Sequence, residues 1–189
     1  MKLAIFEKLK NLKKENLYLI IALTIGIFMV FFNPPFAGVP DEGAHFFKAW
    51  SVANGYLRCT GHDAIPKSAA NLPDEIKPIN IEGVGDRISL GKIKKALFEK
   101  DSKSTQVIGG SVCTVVPFGY ISQAVGLNIG RLLHLSPLMN FYLARLLNLL
   151  VAILIIYWAI RIIPFGKTIL LLMALLPMTV QQLSSLNSL

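Results

Sequence analysis

Acidic residues are missing where this chain is most apolar. Residues 111–189 hold four cations and no Asp or Glu, and only 16% of the 189 residues are charged while 53% are hydrophobic. Soluble globular domains carry about 25% charged residues, so the composition argues against a water-soluble fold and for a membrane protein. The chain has only two cysteines and no CxxC pair, and His45, His62 and His134 are scattered, which leaves no zinc-finger spacing. HExxH is absent as well; the nearest pattern is a reversed DExxH at residues 41–45 without a second ligand cluster, a poor fit to a zinc protease. There is no internal repeat and no low-complexity tract. The first apolar run ends in FFNPPF, with no small-residue cleavage site, and therefore reads as an uncleaved anchor and not a signal peptide.

A net charge of +8 would suit a nucleic-acid binder, but the cations are not arranged as a binding face. Residues 1–16 hold five lysines against two glutamates, and residues 33–110 hold ten cations against nine anions. The basic excess lies beside apolar runs, where it reports membrane topology.

Four segments have the length and polarity expected of spans: residues 17–33, 111–133, 138–161 and 167–187. Lys8, Lys10, Lys13 and Lys14 precede the first and place residues 1–16 in the cytoplasm, so residues 34–110 emerge outside. By this count the HLSPLMN turn is cytoplasmic and the turn carrying Arg161 and Lys167 is external, against the positive-inside tendency. The expected architecture is an all-α polytopic membrane protein of about four transmembrane helices, with a large extracytoplasmic loop carrying short interfacial helices. In the second span Ser122, Gly126 and Gly130 recur every fourth residue and form a stripe suited to close helix contact. The last span ends in QQLSSLNSL, whose uncharged polar groups at membrane depth call for partners. Four spans offer few partners, so the chain is expected to be the N-terminal part of a larger protein or a truncated product. Cys59 and Cys113 either pair across an oxidising space or remain two free thiols.

Within the loop, residues 40–55 read as a helix, with Pro40 and the acids in its first turn and Gly55 as its stop. A second, basic amphipathic helix is expected from about Leu90 to Glu99, after turn-rich sequence. At 100° per residue Asp41, His45, Lys48 and Val52 share one stripe, with Glu42 and Ala49 on its edge. Phe46, Phe47, Trp50 and Ala53 fall on the other side. The aromatic face would rest on the membrane or on neighbouring helices, turning Asp41, Glu42 and His45 toward an open cleft. The alternative is purely local: acids in a first turn favour the helix dipole by about 0.3–1 kcal/mol, and a histidine one turn on simply pairs with them.

The stretches NPPFAGVPDEGAHFFKAWSVANGYL, VVPFGYISQAVGLNIGRLLHL and LARLLNLLVAILIIYWAIRIIPFGKTILLLMALLPMTVQQLSSLNS resemble domain-of-unknown-function family 2142, a group of bacterial membrane proteins. That family is in turn similar to the GT-C class of membrane glycosyltransferases. Pro40, Asp41, Glu42 and His45 match its PDExxH motif, Pro117 and Tyr120 its second-span pattern, and Arg145 and Leu146 its third-span opening. The resemblance implies sugar transfer from a lipid-linked phosphate donor to an acceptor hydroxyl of the cell envelope, at the outer face of a bacterial cytoplasmic membrane. It implies Asp41 as base, Glu42 as a metal or acceptor contact, and His45 as an orienting partner or ligand. A divalent cation, Mg or Mn, would sit on Asp41 and Glu42. Lys48 would face the lipid phosphate or simply snorkel to the interface, and Tyr120 would line the substrate site. The implied partners are the bilayer, the donor lipid, and either further membrane helices of a longer chain or a partner subunit. The competing expectation is a non-enzymatic membrane subunit or assembly factor that docks a partner through the acidic helix.

Overall fold

The computed structural model describes residues 13–58, 63–76, 79–81, 85–87, 89–100, 102, 104–108 and 116–187. Among these residues are eight α-helices: α1 Lys14–Phe32, α2 Glu42–Ala53, α3 Lys67–Ile76, α4 Leu90–Phe98, α5 Ile121–Leu132, α6 Pro137–Ile162, α7 Lys167–Ala174 and α8 Pro177–Leu183. A 3₁₀ turn, Pro117–Tyr120, leads into α5. The all-α expectation misses four three-residue strands. Strand β1 (Ala64–Pro66) pairs antiparallel with β4 (Thr105–Val107), and β2 (Ile79–Ile81) with β3 (Gly85–Arg87). Cys59 and Cys113 lie outside the described residues.

Two described helices, α1 with 19 residues and α6 with 26, are long and apolar enough to cross a membrane. Each has local reasons to begin or end where it does. The chain leaves α1 at Asn33, whose N–H still bonds Met29 O, and the two prolines that follow cannot continue the helix. Helix α6 starts with Ser136 accepting a bond from Met139 N and Pro137 in the first turn, a standard N-terminal pair of signals.

The two long helices run antiparallel. Phe31 meets Tyr142, a Cβ on Gly26 would strike Leu149, and Tyr157 Oη reaches Asn16. The start of α6 therefore lies at the Phe32 end of α1, and its finish at the Lys14 end. Helix α5 packs antiparallel on α6 at four-residue intervals, Ser122 on Asn148, Gly126 on Ala144, Gly130 on Asn140. The small-residue stripe thus does what its spacing suggests: a Cβ on Gly126 would stand 2.8 Å from Ala144 Cα, so the two backbones touch.

This packing corrects the expected path of residues 111–133. Helix α5 begins about midway along α6, where Phe118 and Ile121 share a groove with Val151 and Ile155, and runs back to the Phe32 end. There Arg131 donates to Asn54 at the end of α2 and its guanidinium lies 4.4 Å from the Trp50 ring centroid. The 133–136 turn therefore lies at the same end of the molecule as α2.

The expected continuous helix over residues 167–187 is likewise broken, between Ala174 and Pro177, because proline removes a donor and its ring opposes the preceding turn. The pair α7–α8 runs from the Lys14 end, where Lys14 Nζ bonds Thr168 Oγ1, back to the Phe32 end, where Gln181 donates to Gly38 O and Leu186 N to Glu42. As a result Lys13, Lys14, Arg161 and Lys167 share one end of the molecule.

The remaining elements gather at the Phe32 end. Helix α2 forms as the sequence suggests, and Phe46 and Trp50, both fully buried, pack with Phe36 and Phe141 in an aromatic core. Helix α3 passes through Pro73 in a stretch that reads as turn; it is held by Ala69, Leu72 and Ile76, one apolar stripe buried in the same core. Helix α4 matches its expected span within a residue.

Candidate functional site

The PDEGAH motif straddles the end of a nine-residue turn, 33–41, that the local sequence does not make comfortable. Phe36 and Asp41 both adopt left-handed backbone, at φ 59° and 58°. For a non-glycine residue this conformation stores about 1–3 kcal/mol and survives only where its surroundings dictate it. Here the surroundings are Glu42 and Arg145. Glu42 Oε1 accepts from Arg145 Nε at 2.8 Å and Leu186 N at 3.0 Å; Oε2 accepts from Arg145 Nη2 at 2.6 Å and Phe36 N at 3.1 Å. Arg145 Nη1 donates to Val30 O at 3.0 Å and Asn33 O at 2.9 Å, and Nη2 makes a longer contact of 3.5 Å to Pro34 O. The guanidinium lies 4.4 Å from the Phe141 ring centroid, a cation–π placement.

Both side chains are fully buried, and every carboxylate lone pair and guanidinium hydrogen has a partner. One fork thereby joins the carbonyls at the end of α1, the turn, the first residue of α2, the body of α6 and the segment after α8. The expectation that Glu42 opens onto a cleft is corrected. It is buried because an arginine inside an apolar helix needs a counter-ion, and Glu42 is the acid within reach.

The sequence-based expectation places a divalent cation on the Asp41–Glu42 pair. Glu42 has no lone pair left to give a metal, which reduces the pair to one carboxylate.

Asp41 itself is exposed, and its carboxylate makes no cap bond to α2 although it occupies the N-cap position. His45, one turn on, is half-buried, with Nδ1 2.6 Å from Tyr120 Oη. Tyr120, fully buried, ends the 3₁₀ turn PFGY, so Pro117 and Tyr120 of the sequence motif bring the phenol to α2. Burial lowers the His45 pKa from its ordinary 6.5, and the nearby charges of Asp41 and Glu42 oppose that shift. Lys48 does not snorkel: it is 2% exposed, and its Nζ has no hydrogen-bond partner among the described residues. The fold therefore brings His45 and Tyr120 together one turn from Asp41, and takes Glu42 away.

A second polar cluster answers the question raised by the C-terminal amides and hydroxyls. Asn148 Oδ1 accepts from Ser122 and Gln123, while its Nδ2 donates to Leu183 O and Ser185 O. Gln123 also reaches Asn187 O, and Asn187 donates to Gln182. Asn148 and Gln123 thus hold backbone carbonyls of the C-terminal segment, while its own side chains bond within the chain: Gln181 donates to Gly38 O, Ser184 to Gln181 O and Ser185 to Gln182 O. Asn148 and Gln123 carried no sequence motif; their signal was only that they are amides in an apolar run.

Two helices of membrane length, a fully satisfied ion pair at their junction and a strained acidic turn beside it define an integral membrane protein. The chain belongs to the family described as "Predicted membrane protein (DUF2142)", which matches residues 23–188. No curated protein and no solved structure matches it.

Proposed function

We propose that this chain is the membrane module of a GT-C-like glycosyltransferase that moves a sugar from a lipid-linked phosphate donor to a cell-envelope hydroxyl, with Asp41 as the base. The observation that carries the proposal is the contrast between neighbours: Glu42 is saturated and buried, while Asp41 is exposed, uncapped and held in left-handed backbone. Strain of this kind concentrates at working sites, because it fixes a group's direction before the substrate arrives.

In this reaction the Asp41 carboxylate takes the acceptor proton as the hydroxyl oxygen bonds to the anomeric carbon, and the bond from that carbon to the donor phosphate breaks, its electron pair leaving on phosphate. The His45–Tyr120 hydrogen bond orients the acid stripe.

The module crosses the bilayer three times, by α1, α6 and the broken α7–α8, with Lys13, Lys14, Arg161 and Lys167 on the cytoplasmic side as the positive-inside rule favours. Residues 34–136 then stand on or in the outer leaflet, with α5 re-entering to about half depth.

The test is sugar transfer by the full-length protein in proteoliposomes supplied with extracted lipid-linked sugars. Asp41→Asn should lower the rate by about 10²–10⁴, the usual contribution of a general base, with folding intact. Transfer at the wild-type rate by Asp41→Asn removes the catalytic role.

A further inference from the structure

We infer that a basic hollow between the end of α4 and the α5–α6 turn binds one phosphate group, carried by a lipid headgroup or by a soluble molecule. The hollow, about 260 Å³, is lined by Lys100, Arg131, His134 and Leu135. Three of these four carry nitrogen donors, and among the described residues no carboxylate joins them. Lys100 and Arg131 are like charges drawn to one concavity, where each raises the cost of the other; an anion between them turns that repulsion into attraction. Sites for drug-sized ligands run to about 300–1,000 Å³, so this hollow is scaled to a single small group. Phosphate is the anion whose several oxygens can meet an ammonium, a guanidinium and an imidazole at once.

Each donor is brought there by a different piece of the fold. Leu97 of α4 shares an apolar groove with Leu135 and Met139, which carries Lys100, three residues on, to the turn. Arg131 is held in place by its bond to Asn54 and by the Trp50 ring. His134 stands in left-handed backbone, φ 53°, at the position past a helix end where glycine is usual. There His134 N bonds Arg131 O at 3.1 Å, Leu135 N bonds Gly130 O at 3.0 Å and Leu133 N bonds Ile129 O at 3.0 Å. Backbone groups therefore satisfy the last carbonyls of α5, and the Arg131 and His134 side chains are not needed as caps. Glycine would close this turn without strain, so what histidine adds is its ring. Lys100 and His134 are exposed, and their side chains make no hydrogen bond or ion pair among the described residues. Helix α6 begins at once, with Ser136 as its N-cap, so the positive end of its dipole adjoins the hollow and offsets the negative end of α5. Asp41 stands at the opposite end of α2, whose 12 residues span about 18 Å, from Asn54, the partner of Arg131. The hollow is therefore a second site, apart from the acidic turn.

The test is isothermal titration calorimetry on the purified full chain in neutral detergent, with inorganic phosphate and dioctanoyl phosphatidic acid as probes and dioctanoylglycerol as the lipid that lacks phosphate. At least one phosphate probe should saturate a single site, and dioctanoylglycerol should not. Lys100→Gln and His134→Gly should each weaken that binding about tenfold, the loss expected of one hydrogen bond to a charged group. Glycine suits the left-handed position, so His134→Gly keeps the turn. Lys94→Gln, in a different hollow shared with Glu99, should change nothing. Phosphatidic acid bound about tenfold more tightly than inorganic phosphate assigns the site to a lipid headgroup, and equal affinity assigns it to a soluble phosphate; both support the site. Lack of a saturable site for both phosphate probes, equal binding of dioctanoylglycerol, or unchanged affinity in either Lys100→Gln or His134→Gly would each overturn the inference. None of these readouts depends on sugar transfer.

Discussion

Replacing Glu42 by glutamine keeps the size of the side chain and removes its charge, and it should unfold more of this protein than any change at Asp41. Glutamine can still accept at one oxygen, but its NH₂ group would face two donors, Arg145 Nη2 and Phe36 N, which now contact Oε2 at 2.6 and 3.1 Å. Arg145 would remain fully buried and half-paired. Breaking a buried ion pair by removing one partner costs about 3–5 kcal/mol. For a chain of this size each kcal/mol moves the midpoint by about 2–4 °C, so a drop of about 6–20 °C is expected. The assay is thermal unfolding in detergent, followed by tryptophan fluorescence. Asp41→Asn is the matched control: asparagine tolerates left-handed backbone, the side chain is exposed and no cap bond is lost, so its midpoint should stay within about 1 °C. The double variant Glu42→Leu/Arg145→Met should recover part of the loss, because both desolvated charges go together. Recovery should be incomplete, since the carbonyls of Val30, Asn33 and Pro34 lose their donor. A Glu42→Gln protein that melts with the wild type would refute the assignment of Glu42 as the structural hub and return it to the list of catalytic acids.

Three further outcomes follow from the packing. Gly126→Ala should destabilise by about 1–3 kcal/mol, because its Cβ would meet Ala144 backbone at 2.8 Å; Gly91→Ala, with nothing closer than 3.6 Å, should gain about 0.5–1 kcal/mol by the same melting assay. In a background with Cys59 and Cys113 replaced by serine, impermeant thiol reagent should reach cysteines placed at Ala64 and His134 from one side of the membrane and one at Lys167 from the other; labelling of His134 together with Lys167 would break the three-crossing path. Burial holds the His45 pKa below 6.5, so the unfolded chain takes up its proton first as the pH falls. The stability tied to neutral His45 is complete above about pH 6.5 and declines as the pH drops from there toward the folded value. His45→Gln should flatten that slope, and Asp41→Asn should lower the His45 pKa further by removing a charge that supports the protonated ring, as an NMR titration would show.

Much of the local structure was legible because it rests on short-range rules. Helix α2 follows from Pro40, the acids and Gly55, α4 from its amphipathic period, and the α5–α6 contact from the four-residue stripe of Ser122, Gly126 and Gly130. The membrane itself could be read from composition, since long uncharged runs have no other stable home. Where the reading failed, the missing information was a partner far along the chain. Hydropathy measured residues 111–133 as a span but carried no direction, and only the packing of Gly126 on Ala144 and the tie of Arg131 to Asn54 show that α5 runs from the middle of α6 toward the Phe32 end. A helical wheel put Asp41 and Glu42 side by side as equivalent acids. It could not see Arg145, 103 residues away, which draws one of them into the core.

What the sequence settled alone, then, was that this chain belongs in a bilayer, where α1, α2 and α4 form, and that an acidic turn follows the first of them, because apolar length, helical period and proline are local properties. Which acid is sealed and which is left in the open, which end α5 runs toward, and how the C-terminal amides are satisfied were decided by tertiary structure. A buried charge or amide must find its complement somewhere in three dimensions, and no spacing along the chain names the partner in advance.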